Sequence, residues 1–228
     1  MTSAIIADAS ASTLVAEQKP SASKNRSLSH RSLVYGLGTN DCSTPITLNG
    51  VRLKSYDHWK SMLTRCYSSA FHRDRPSYIG CSVAPEWLLF STFEEWFKVH
   101  YVKGFALDKD LLVPGNRVYS PDTCVFVPPA LNGLLEDKAA GRGDYPLGVS
   151  LCKQCPSRYR AQVAGTKSGG TYLGLFSTPL EAHQAWQLAK ALIIEQFPTD
   201  NPRIRKALDL RVAQLRDDHA NNRITTKL

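Results

Sequence analysis

Apolar residues return at helical spacing between Tyr56 and Tyr67. There Tyr56, Trp59, Met62, Leu63 and Cys66 share one face and predict a first helix. Ser91-Thr92-Phe93-Glu94 has capping-box spacing and predicts a second helix, with Phe93, Trp96, Phe97 and Tyr101 turned inward. The rhythm then shortens. Leu107–Val113 reads as a strand, Pro114-Gly115-Asn116 as a turn, Cys124–Val127 as a second short strand, and Pro128-Pro129 as the start of a helix. Further on, GVSLCKQC, SRYRAQVAG and GTYLGLFST read as three short strands, the last two divided by Gly169-Gly170. Thr178-Pro179-Leu180-Glu181 is a capping box with proline at the first helical position. Its helix runs to about Phe197, with Leu180, Trp186, Ala189, Leu192 and Ile193 as the apolar stripe. Asp200-Asn201-Pro202 restarts a helix in which Ile204, Leu208, Val212 and Leu215 share a face, with Arg203, Arg205, Lys206 and Arg211 elsewhere. That face either packs back on the body or mediates self-association, so the oligomeric state stays open.

These elements predict an α+β chain in five segments. Residues 1–33 are a Ser/Ala/Thr/Lys-rich tail without periodicity, read as disordered. Residues 34–137 hold the two aromatic helices and the strand-turn-strand-helix unit. Residues 138–144 are a basic, glycine-containing linker. Residues 145–197 carry three strands and a helix, enough to stand as a small domain. Residues 198–228 are the C-terminal amphipathic helix.

Charge sharpens the division. The 228-residue chain has 28 Lys+Arg against 20 Asp+Glu, net +8. Residues 34–137 are net −1, whereas residues 138–173 are net +5 and residues 203–228 net +4. A polyanion-binding part therefore follows a part that is free for other chemistry. No run of eighteen apolar residues exists and no basic leader precedes an apolar stretch, so neither a membrane span nor a secretory signal is expected. The six cysteines are then expected as reduced thiols in a cytosol. Cys152-Lys-Gln-Cys155 is a lone CxxC. Zinc wants four ligands, and no second pair follows, so structural zinc is not expected.

The chemistry sits in LDKDLLVPGNRVYSPDTCVFVPPALNGLL, residues 107–135. Asp108 sits at the end of the first strand and Asn132 one turn into the helix. Two oxygen ligands converging in this way suit a hard divalent cation such as Mg²⁺. Strand alternation places Asp110 on the face of Asp108, as a possible second carboxylate ligand. The stretch resembles the HNH nucleases, whose ββα-metal finger has this order. It is most similar to their phage and mobile-element branch, which often carries LDKD, YSP-TC-FVP and IN-L. W-xx-M-xx-RCY, GCSV-xx-EW and F-xx-W, upstream, recur in the same branch. The resemblance implies that Asp108 and Asn132 hold Mg²⁺, and that the chain is a DNA endonuclease of a bacterial host cytoplasm. Lys109 stands where many members have the general-base histidine. An ammonium is a poor proton acceptor, but it can stabilise a phosphate in the transition state. This departure leaves a non-catalytic DNA-binding protein on a degenerate HNH scaffold as the alternative.

The second unit resembles the plant ethylene-response-factor type of DNA-binding domain, through Gly148-Val149, Tyr159-Arg160-Ala161-Gln162-Val163, Tyr172-Leu173-Gly174-Leu175-Phe176, Glu181-Ala182 and Ala189. In that family the sheet lies in the major groove. Alternation turns Ala161 and Val163 toward the helix, and Arg160 and Gln162 outward. Arg160 can then fork onto guanine and Gln162 onto adenine. Arg158 and Lys167 complete the basic face, and Tyr172 falls on a family contact position. Double-stranded DNA is the implied partner, with RNA as the weaker alternative, since a basic sheet does not by itself separate the two.

Overall fold

The computed structural model describes residues 32–135, 144–164 and 170–228. The expected tail up to residue 31, nearly all of the 138–144 linker, Lys167 and Gly169 lie outside the described residues. The fold is mixed α+β, with helices around several small sheets.

The first layer is aromatic. Strands β1 (Thr47–Leu48) and β2 (Val51–Arg52) pair across Asn49-Gly50, both at positive φ, as a two-residue hairpin requires. Helix α1 (Lys54–Tyr67) follows and buries Trp59, Met62, Leu63 and Cys66, the face its periodicity predicted. Helix α2 (Ser69–Asp74), strand β3 (Ser82–Val83) and a 3₁₀ turn at Pro85–Leu88 lead into α3 (Phe90–His100). Trp59 Nε1 donates to Trp87 O at 2.7 Å and ties α1 to that turn. The expected capping box at Ser91–Glu94 does not form. Helix α3 starts two residues earlier, with Leu89 at its N-cap and no side-chain cap. The Ser91 amide instead donates to Asp41 Oδ1 at 2.9 Å, and its hydroxyl pairs with Asp41 Oδ2.

Strand β4 (Ala106–Asp108) pairs antiparallel with β6 (Val125–Val127), setting Leu107 opposite Phe126 and Asp108 opposite Val125. Between them β5 (Val118–Tyr119) leaves to pair in parallel with β3, a contact that no local pattern announced. Helix α4 (Pro129–Leu135) follows β6 directly. The strand expected over Leu107–Val113 thus ends at Asp108. The cause is local: Asp108 Oδ1 accepts the amides of Asp110 at 2.9 Å and Leu111 at 2.6 Å, which turns the chain. A turn, and not strand alternation, places Asp110.

The last layer is β7 (Val149–Leu151), β8 (Tyr159–Ala164) and β9 (Gly170–Phe176), an antiparallel sheet in sequence order, with α5 (Pro179–Glu195) and α6 (Pro202–Ala220). Thr178 caps α5 by accepting the Glu181 amide at 3.1 Å. The buried face of α5 differs from the expected stripe. It is Ala182, His183, Trp186, Gln187, Lys190, Ala191 and Ile194, while Leu192 is exposed. Polar side chains occupy core positions there because the His183 ring, the Lys190 ammonium and the Gln187 Nε2 find partners (below), Gln187 Oε1 alone on this face staying unmet among the described residues, so hydrophobicity alone mis-phased the helix. Helix α6 packs back on the body through Ile204, Leu208, Val212 and Leu215, and Arg211 is buried with them.

One apolar core joins Leu111, Val125, Val127, Leu131 and Leu134 to Leu147, Val163, Trp186, Ile194, Ile204, Leu208 and Leu215. It runs across the expected linker, so α4 rests on α5 and α6. Among the described residues no helix is long and apolar enough to cross a membrane.

Candidate functional site

Asp108, Asp110 and Asn132 line one cleft of about 410 Å³. Asp108 ends β4, Asp110 sits in the turn that Asp108 itself organises, and Asn132 projects from α4. An adjoining hollow of about 250 Å³ shares these three and adds Arg65, Lys109 and Tyr119. The floor is rigid for identifiable reasons. Leu131 and Leu134 are fully buried. The Lys190 ammonium donates to the Leu134 carbonyl at the end of α4. Asn116 Nδ2 closes the loop by donating to the carbonyls of Lys109 at 2.6 Å and Val118 at 2.7 Å.

Two carboxylates crowd together in this cleft, among the cations Arg65, Lys109, Arg211 and Lys227. Burial first, and then the neighbouring Asp110 carboxylate, hold Asp108 above the usual carboxylate range. Two crowded carboxylates and a carboxamide form an all-oxygen donor set, which fits a hard divalent ion. Among the described residues no three His, Cys, Asp or Glu side chains gather as a metal site, here or elsewhere, so any ion in this cleft would rest on two carboxylates and the Asn132 carboxamide. Lys109 is only 9 % exposed. Its Nζ lies 3.2 Å from Asp110 Oδ2 and 5.9 Å from the ring centres of Tyr78 and Tyr119. It is therefore an internal counter-charge to Asp110 within the site.

Sequence reasoning missed Arg65, Tyr78, Arg211 and Lys227, all of which line the cleft or its hollow. Arg211 was legible: it stands seven residues after Ile204 and four before Leu215, on the buried stripe of α6. Lys227 left no local signal, because its placement depends on the fold of residues 221–228. The two histidines nearest the site by sequence or helix do not line the cleft. His58 packs edge-on against Phe126 and is held below the usual imidazole range by burial and then by Arg65. His100 stacks on Trp96 at 4.4 Å.

A second surface lies on the sheet. Ala161 and Val163 are buried and Arg160 is exposed, as alternation predicted. The Arg160 guanidinium covers the Tyr172 ring at 5.3 Å, and Gln162 faces Tyr172 across the β8–β9 ladder. The structure thus gathers Arg160, Gln162 and Tyr172. Arg158 stands just before β8, donating to Ser177 Oγ at 3.1 Å.

The cysteines divide by depth. Burial pushes the Cys66 and Cys124 thiols up to about 12. Cys155 is exposed, and its neighbour Cys152 raises it.

Comparison of the chain with protein-family models, curated proteins and solved structures finds no match.

Proposed function

We propose that the chain is a DNA-binding protein with a metal-dependent phosphodiesterase site, an HNH-like endonuclease of phage or mobile-element type. The observation that carries this reading is the convergence of Asp108, Asp110 and Asn132 in one cleft flanked by basic side chains. The β4–β6 hairpin followed by α4 supports the ββα order implied by the resemblance. Asp108 and Asn132 would hold Mg²⁺, with Asp110 as a further oxygen donor. The ion would neutralise charge developing on the phosphoryl and leaving oxygens. Lys109 keeps Asp110 oriented and offsets part of the carboxylate charge. Arg160, Gln162 and Tyr172 form a face that suits duplex DNA, by base-edge contacts and by stacking.

One observation favours a second reading. The Lys109 ammonium already stands 3.2 Å from Asp110, where a cation would otherwise be drawn, so the finger can serve as a non-catalytic scaffold. A supercoiled-plasmid assay with and without Mg²⁺ or Mn²⁺ separates the two. Metal-dependent nicking that Asp108→Ala abolishes supports the enzyme. A DNA shift without nicking leaves the scaffold. Neither shift nor nicking overturns both.

A further inference from the structure

We infer that Arg211 and Lys227 form a phosphate subsite on the wall of the cleft beside the Asp108–Asp110 turn, and that the strap over residues 221–228 exists to hold Lys227 there. The inference deepens the nuclease reading and rests on it, since the anion would be a phosphate of the bound DNA strand.

The first observation is charge. Around the cleft and its hollow stand Arg65, Lys109, Arg211 and Lys227, against the carboxylates of Asp108 and Asp110. Lys109 is committed to Asp110. Arg211 is not committed in the same way. It is 4 % exposed, and its Nη1 donates to Ala207 O at 2.9 Å. Its Nη2 reaches Asp110 O only at 3.5 Å. Its Nε–H is buried with no acceptor among the described residues. That Nε is closed to solvent, as are the equally unmet Arg205 Nε and Gln187 Oε1, so what Arg211 offers an anion is the guanidinium charge it brings to the cleft wall.

The second observation is how the strap is built. His183 and Gln187 are fully buried in α5, yet both are polar. Both serve the strap. His183 Nδ1 lies 2.9 Å from the Leu147 carbonyl, which requires an N–H there. Its Nε2 is then the acceptor for the Thr225 amide at 3.0 Å. Gln187 Nε2 donates to the Arg223 carbonyl at 2.9 Å and to Thr225 Oγ1 at 3.0 Å. Thr225 Oγ1 donates to Asp218 at 2.8 Å, and Arg223 pairs with Asp217 and Asp218. Gln214 Nε2 then donates to the Lys227 carbonyl at 3.3 Å. An apolar anchor alone would let such a strap slide by a residue. A buried polar network admits one register, and that register brings Lys227 to the cleft that holds Asp108 and Asn132.

The test is duplex-DNA affinity of the full chain in EDTA, measured across salt concentration, so that binding is read without cleavage. Removing one phosphate contact lowers the slope of log K against log salt by about 0.9. Lys227→Ala should show that loss with an unchanged thermal melt, and Lys227→Arg should restore the slope. Arg211→Met should act in the same direction. If that variant does not fold, Lys227 carries the test alone, because its exposed side chain leaves the core intact. Wild-type binding with an unchanged slope in Lys227→Ala overturns the subsite and leaves the DNA-binding reading standing. No wild-type binding at low salt overturns both. The plasmid assay with Asp108→Ala scores the catalytic reading separately.

Discussion

Lys190, buried in α5, donates its ammonium to the carbonyl of Leu134, two residues beyond Asn132 on α4. A residue of the C-terminal layer therefore fixes the end of the helix that carries a candidate metal ligand. The placement is electrostatically sensible, since a cation at a helix C-terminus meets the negative end of the peptide dipoles.

Burial pushes Lys190 down to about 8 from its ordinary 10.5. Between those values the unfolded chain binds a proton that the folded protein does not. Stability from this group is therefore lowest below about pH 8 and rises with pH toward 10.5. The full shift corresponds to about 3 kcal/mol. Urea unfolding over this range should show wild type gaining stability relative to Lys190→Met, the buried Cys66 and Cys124 thiols lowering both proteins alike above pH 9. Parallel pH profiles in the two proteins would contradict it.

Asp108→Ala and Asn132→Ala should each abolish Mg²⁺-dependent nicking while duplex affinity survives, because Arg160 on β8 and Tyr172 on β9 do not line the cleft of Asp108 and Asn132. Lys109→Ala removes the counter-charge of Asp110 and should slow nicking without removing metal binding. Lys109→His should raise the rate if geometry is otherwise competent. Plasmid relaxation beside a gel shift reads both quantities. Inert wild type and inert Lys109→His, in Mg²⁺ and in Mn²⁺, would retire the catalytic reading.

Arg160→Ala with Gln162→Ala should weaken duplex binding, each base contact being worth roughly 1–3 kcal/mol. The melt should hold, because the Arg160 side chain covers Tyr172 on the outer face and not the core. Unchanged affinity with an unchanged melt would show that another surface reads the DNA.

Gly148 has φ +76°, and a Cβ there would overlap the Trp186 ring. Gly148→Ala combines a left-handed backbone penalty with overpacking and should destabilise by about 3 kcal/mol or more. Gly115 has φ +77° but open space around it. Gly115→Ala should cost only about 1–2 kcal/mol. Equal midpoints for the two variants in chemical denaturation would refute the close approach at Trp186.

Thiol titration of the native protein at neutral pH should label Cys155 first and leave Cys66 and Cys124 unmodified, since burial pushes both up to about 12. Fast labelling of either buried thiol would show that the aromatic layer opens.

Periodicity and turn chemistry by themselves determined much of this protein. Helix α1, the strand-strand-helix order around Asp108 and Asn132, the three-stranded sheet with Ala161 and Val163 inward, and the cap at Thr178 are local, because each is decided by neighbours within a few residues. What tertiary structure decided is non-local. The β3–β5 pairing, the diversion of Ser91 to Asp41 and the convergence of Lys227 on Asp108 all join distant segments. Helix α5 shows the physical reason most clearly. A burial pattern read from hydrophobicity assumes that polar side chains stay in water. His183, Gln187 and Lys190 go inside because partners far along the chain — Leu147, Thr225 and Leu134 — take up their N–H donors in place of water.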